Sequence, residues 1–179
     1  MAVHTHRFGG AEVTAYLGQL FETELGLRGV QEVTDDRWLS RTKECAAFVA
    51  DSKQEKDGEP AKSWELSAQR LASWEEGVDL SDAQAQLSGC TELLFEPSLG
   101  GFDIDGVQHI IAAAIAASPV DYRTALLRHI VIVGGNTAFP GFPERLEAEL
   151  QALPRCMKAR VLASGSRKYQ SWSGASRAV

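Results

Sequence analysis

Apolar residues recur at helical spacing over the first stretch of the chain, with Val13, Tyr16, Leu17, Leu20 and Phe21 on one face between Ala11 and Leu25. Gly26 and Gly29 supply stop signals for that helix. A second helix is predicted from Thr34, whose hydroxyl would cap the Asp35-Asp36 turn, with Trp38, Thr42, Cys45 and Val49 as its stripe. From Asp51 to Ser88 the periodicity becomes patchy and polar residues dominate. That segment reads as a surface excursion holding one helix, anchored by Trp64 and Trp74.

Order returns at Glu92-Leu93-Leu94-Phe95, a short apolar run that reads as a strand ended by Pro97. Asp103 or Asp105 then opens a helix containing Val107, Ile110, Ile111, Ala114 and Ile115. Ser118-Pro119 ends it and starts the next, with Ser118 as cap, Pro119 at the first helical position and Asp121 completing a capping-box-like pattern. His129 to Val133 is continuous and β-branched, the pattern of a strand buried on both faces. Gly134-Gly135-Asn136 breaks it. A helix follows from Pro140 to Leu153, with Phe142, Leu146, Leu150 and Leu153 inward and Glu144, Arg145, Glu147 and Glu149 outward. Arg160 to Ala163 reads as a strand and Ser166 to Ser171 as a helical turn. Strand and helix alternate, which defines an α/β class.

Composition narrows the function classes. The 179 residues are 44% hydrophobic and 23% charged, the balance of a globular protein with a sizeable core. The net charge of −6 comes from mixed acids and bases, without the basic stripe of direct nucleic-acid binding. Cys45, Cys90 and Cys156 are odd in number and far apart, so neither a disulfide framework nor a zinc site is expected, and a reducing intracellular compartment is. No apolar run reaches the ~18 residues of a membrane span. His4 and His6 fit a solvated terminal strand better than a metal site. His109 and His129 have no Ser or carboxylate partner in pattern, so no hydrolase triad is expected.

A strand, two glycines and a helix can bring a ligand against the backbone, because glycine removes the Cβ and sites of α/β sheets lie at the strands' carboxyl ends. By itself the pattern serves equally as a tight turn. It is neither a dinucleotide fingerprint nor a P-loop, since no third glycine or Gly-Lys-Ser/Thr follows.

The wider context carries more. The run from Ile130 through Val133, Gly134, Gly135, Asn136 and Phe139-Pro140-Gly141-Phe142, with Glu144-Arg145-Leu146, resembles the late glycine loop of the actin family. Four further blocks are similar in the family's order: Gly9-Gly10 with Thr14, Tyr16 and Leu17; Lys43-Glu44 with Phe48-Val49-Ala50; Leu94 to Ser98 with Gly106; and Arg167-Lys168-Tyr169 with Trp172 and Gly174.

This resemblance implies the second half of an actin-like ATPase fold. Residues 1–50 and 91–179 would form its core subdomain and 51–90 a smaller variable one. It implies ATP or ADP with Mg²⁺ as cofactor of the whole protein, with none expected to stay bound to this chain alone. Gly134, Gly135 and Asn136 would line the nucleotide, Lys43 and Glu44 would lie beside adenine and ribose, Gly10 at the cleft floor, and Lys168 would close the adenine pocket. Without the blocks around them, Lys43 and Glu44 would read as a solvated helix face.

The family's Mg²⁺-binding and water-orienting groups belong to its first half, whose Asp-Gly-rich hairpins are not found in this chain. Catalysis by the chain alone is therefore not expected. Asn136 stands where conventional actin has threonine, and Ser40 where an arginine is usual. The Gly-Gly-Asn form followed by Phe-Pro-Gly-Phe is similar to actin-related proteins of chromatin-remodelling complexes. That implies a scaffold subunit with protein partners, in nucleus or cytoplasm, with a filament-forming ATPase as the alternative. A sugar kinase of the same superfamily fits the five blocks less well.

Overall fold

The computed structural model describes residues 3–26, 35–50 and 83–177. Trp64, Trp74, Thr34, Gly29 and most of the 51–90 segment lie outside the described residues. The first helix, α1, spans Gly10–Glu24 and buries Val13, Thr14, Leu17, Leu20 and Phe21. The Glu12 carboxylate accepts the Gly9 N–H at 2.8 Å, so an acid occupies the positive end of the helix. Helix α2, Asp36–Ala46, is capped by Asp35, whose carboxylate accepts the Arg37 N–H at 2.9 Å. Its buried side is Trp38, Leu39, Thr42, Lys43 and Ala46, and Trp38 meets Phe21 of α1 with ring centroids 6.1 Å apart. Val49 falls beyond the helix and is buried, its N–H donating to the Pro140 carbonyl at 2.9 Å.

Helix α3, Gln84–Glu92, packs on α1 through Leu87 and Cys90, both fully buried. The Thr91 hydroxyl donates to Phe48 O at 2.7 Å and so fastens α3 to the segment after α2. The run Glu92 to Phe95, expected as a strand, is the end of α3 and two successive turns. Leu94 N–H reaches Thr91 O at 3.0 Å and Phe95 N–H reaches Glu92 O at 2.9 Å. Three consecutive buried apolar residues suit either geometry, and the local hydrogen bonds decide it.

A 3₁₀ turn, Pro97–Gly100, leads to helix α4, Val107–Ala116. Gly106, not Asp103 or Asp105, stands at its N-cap. A Cβ at Gly106 would run into the Phe95 carbonyl oxygen, so the close approach admits only glycine. Helix α5, Val120–Arg128, follows Ser118-Pro119, but Ser118 does not cap it: its hydroxyl donates back to Ala114 O at 3.0 Å.

Strand β1, Ile130–Val131, pairs in parallel with β2, Val161–Leu162, in register Ile130 with Val161 and Val131 with Leu162. The expected double-sided burial of 129–133 is not observed. Ile130 and Ile132 are buried, whereas Val131 and Val133 are 60% and 41% exposed. The pleat turns alternate residues to opposite faces, and the described helices cover only one of them. Helix α6, Phe142–Ala152, supplies that cover with Phe142, Leu146 and Leu150. The expected turn at 166–171 precedes a last helix, α7, Gln170–Arg177.

Arg145 of α6, expected on the outer face, is instead a cross-link. Its Nη1 and Nη2 donate to the two oxygens of Glu92 at 3.0 and 3.1 Å, and its Nε to Glu149 at 2.7 Å. Nη1 also reaches Ala50 O at 3.1 Å, and the guanidinium carbon lies 5.1 Å from the centre of the Phe95 ring. One side chain thus joins α6, α3 and the segment after α2.

Candidate functional site

The carboxyl end of β1 opens into the Gly134-Gly135-Asn136 turn. Gly134 adopts φ +105°, a conformation that favours glycine, and a short 3₁₀ turn runs from Gly135–Ala138. The Thr137 hydroxyl donates to Gly134 O at 2.8 Å and closes the turn on itself. The 163–168 loop after β2 is held beside it by Arg167, whose Nε donates to Thr137 O at 2.6 Å while its own carbonyl accepts the Gly134 N–H at 3.0 Å. The same side chain donates from Nη1 to Ser164 O at 3.1 Å.

These two loops and the ends of α1 and α2 enclose a cavity of about 740 Å³. Gly10, Lys43, Glu44, Gly135, Asn136 and Lys168 line it, together with Gly141, Glu144, Gly165 and Arg167 among others. Of the seven residues singled out in the sequence, Gly134 alone is not part of the lining; it acts through the turn it shapes. Arg167 and Glu144 were given no ligand role by sequence reasoning. The signal for Arg167 was its place beside Lys168, while Glu144 read as an outward helix position.

Lys43 is 5% exposed and donates to Gly10 O at 2.6 Å and Thr14 Oγ1 at 2.7 Å. Among the described residues it has no carboxylate in ion-pair contact. Burial lowers its pKa below the ordinary lysine value of 10.5, against the opposing pull of Glu44, Cys90 and Glu12. It is therefore a desolvated cation held by neutral acceptors. A Cβ on Gly10 would come within 3.2 Å of Asn136 Oδ1 and 3.3 Å of Lys43 Nζ, so both side chains close over the first residue of α1.

On the other wall, the Lys168 ammonium donates to Glu44 Oε2 at 2.8 Å. Its pKa is raised, first by that hydrogen bond and then by the charge of Glu44. A Cβ on Gly135 would meet nothing within 4 Å, which leaves its backbone open to close approach. Counting charges, the lining holds three cations, Lys43, Arg167 and Lys168, against two carboxylates, Glu44 and Glu144. In a chain of net charge −6, this concavity has a local surplus of positive charge. Such a surplus favours an anionic ligand over a cationic one. Among the described residues, no group of three or more His, Cys, Asp or Glu is placed to hold a metal.

A helix-flanked parallel pair of strands with a glycine turn and a cavity at its carboxyl end is the α/β layout in which ligand sites commonly lie. A family model for actin matches residues 1–178 of the chain, and the chain belongs to the actin family. Its fold is accordingly actin-like α/β, a mixed helical array built on a small parallel sheet. Among the described residues, no helix is long and apolar enough to cross a membrane.

Proposed function

We propose that the chain provides one wall of an adenine-nucleotide cleft in an actin-related scaffold subunit. The observation that carries this reading is the single cavity shared by Gly10, Lys43, Glu44, Gly135, Asn136 and Lys168, which come from four separate stretches of sequence. The donor set fits a nucleotide. Glu44 offers acceptors for ribose hydroxyls, the bare Gly135 backbone admits close approach, and Lys43 and Lys168 offer donors to the base and sugar. The volume of about 740 Å³ lies within the range of small-molecule sites, roughly 300–1,000 Å³.

The role assigned to the chain is binding rather than turnover. Mg²⁺ bound with the nucleotide would supply charge neutralisation of the phosphates. In the actin family the groups that hold it and orient water are implied to come from the first half, so this chain's residues orient the base and sugar. The reading adds that the protein works in a multiprotein assembly, of which chromatin remodelling is the type favoured by Asn136 and the Phe139-Pro140-Gly141-Phe142 run. Nucleus or cytoplasm follows as its location.

Photolabelling with 8-azido-ATP tests the cleft. The label is expected on peptides containing 40–46, 134–144 or 163–170, and labelling confined to other peptides would overturn the reading. Affinity capture tests the assembly: recovery of remodelling subunits supports the scaffold, and sedimenting filaments in ATP and Mg²⁺ would favour the cytoskeletal alternative.

A further inference from the structure

The Ser118-Pro119 pair does not cap α5 as its sequence suggests. Ser118 Oγ donates to Ala114 O at 3.0 Å, and no side chain caps the first turn of α5. The pair lies at the tip between α4 and α5, where residues 116, 117 and 119–122 are exposed and Ser118 is half-buried. Pro119 is extended, with φ −56° and ψ 141°, and its ring keeps the preceding serine out of helical backbone. A serine hydroxyl directly before an exposed, extended proline is the form in which proline-directed protein kinases take their acceptor.

Arg123 supplies an independent observation at the same residue. Its Nε donates to the Ser118 carbonyl oxygen at 2.8 Å, which fixes the guanidinium beside that serine. Among the described residues, Nη1 and Nη2 have no hydrogen-bond partner and no carboxylate pairs with the group. A guanidinium anchored through Nε, with both terminal amines free, is matched to an oxyanion by paired hydrogen bonds. The Ser118 hydroxyl and carbonyl belong to one residue, so a phosphate on Oγ reaches Arg123 once Oγ turns away from Ala114 O. The positive end of the α5 dipole adds to the attraction. Asp121 of the same turn opposes it, but that side chain is exposed and screened by solvent. We propose that Ser118 is a phosphorylation site and that Arg123 holds its phosphate. In the step, Ser118 Oγ attacks the γ-phosphorus of ATP held by the kinase. The bond from that phosphorus to the β–γ bridging oxygen breaks, ADP leaves, and the hydroxyl proton passes to the kinase's base. The product places a charge of about −1.5 to −2 beside Val120 and Tyr122, which are 70% and 65% exposed, and so turns an apolar tip anionic.

The test incubates the full chain with a proline-directed serine kinase and MgATP and locates the phosphate by mass spectrometry. Phosphate is expected on Ser118, and the same peptide of Ser118→Ala is expected to carry none. Phosphorus NMR then follows the phosphoserine across pH. A neighbouring cation favours the dianion, so its second pKa is expected below the ordinary value of about 6. Arg123→Met is expected to be phosphorylated as the wild type is, with that pKa back at the ordinary value. Arg123→Lys, which keeps the charge without the paired donors, is expected to fall between the two. Phosphate only on other residues, Tyr122 included, would overturn the site. A second pKa equal in the wild type and Arg123→Met would overturn the role of Arg123.

Discussion

Lys168 and Glu44, 124 positions apart in sequence, meet through a 2.8 Å ion pair at the edge of the larger cavity. Both side chains are substantially exposed, at 42% and 55%, so the pair is screened by solvent. Exposed pairs of this kind contribute about 0–1 kcal/mol. Glu44→Gln is therefore expected to leave the thermal midpoint almost unchanged while weakening nucleotide binding. Calorimetry and a thermal melt on the same sample check both halves. A large loss of stability with binding intact would show that the pair is structural only.

Lys43 gives a pH test with a definite sign. Burial depresses its pKa in the folded state, so the unfolded chain binds more protons in the alkaline range below 10.5. Stability contributed at this site therefore rises with pH from the depressed folded value toward the unfolded one, and the penalty is fully present at lower pH. Lys43→Met removes the charge and this dependence together. Urea melts of the two proteins across the alkaline range should converge as pH increases, with the variant relatively more stable at neutral pH. Parallel curves would rule out a desolvated ammonium.

Two glycines should respond oppositely to alanine. Gly106→Ala forces a Cβ into the Phe95 carbonyl and is expected to cost about 3 kcal/mol or more. Gly135→Ala meets open space and is expected to change stability by less than about 0.5 kcal/mol, while narrowing the cavity. Chemical denaturation of both variants decides the point.

Arg145→Met should be costly despite the similar length of the side chain. It removes the guanidinium that Glu92 and Glu149, 26% and 31% exposed, share. A loss of roughly 2–4 kcal/mol is expected, less than for a fully buried pair because solvent reaches both acids. Arg145→Lys should recover only part of it, since an ammonium cannot reproduce the bidentate contact. Equal stability of the Lys variant and wild type would contradict the cross-link.

Val131 and Leu162 are register partners on the uncovered face of the sheet, 60% and 41% exposed. Contiguous exposed apolar side chains promote association. Replacing both by threonine should raise the soluble fraction at high concentration without lowering the thermal midpoint. An unchanged soluble fraction would show that association arises elsewhere.

How far the chain can be read in advance depends on the range of the deciding interactions. The amphipathic helices α1, α2, α4 and α6 follow from local periodicity, because their faces are written in consecutive turns. Glu92 to Phe95 misled, since a three-residue apolar stretch has no period and its turn hydrogen bonds are invisible in sequence. The unbroken β-branched run at 130–133 hid a one-sided sheet: nothing in Val131 or Val133 distinguishes a covered face from a bare one. Arg145 read as an outward charge because its partners lie 53 and 95 positions away at Glu92 and Ala50. The residues of the larger cavity are scattered likewise. Lys43 and Glu44 alone look like a helix surface, and only the ordered set of family-like blocks brought them together with Asn136 and Lys168.

The central claim is that one cavity of this chain is the adenine-side wall of a nucleotide cleft. Titration of ATP into the isotope-labelled chain, followed residue by residue by NMR, tests it most directly. Because one wall offers only part of the contacts, a Kd of roughly 1 mM, about −4 kcal/mol, is predicted. The account predicts shifts confined to the surroundings of Gly10, Lys43, Glu44, Gly135, Asn136 and Lys168, and abolished by Lys43→Met. Shifts centred elsewhere, or none at saturating ATP, would contradict it.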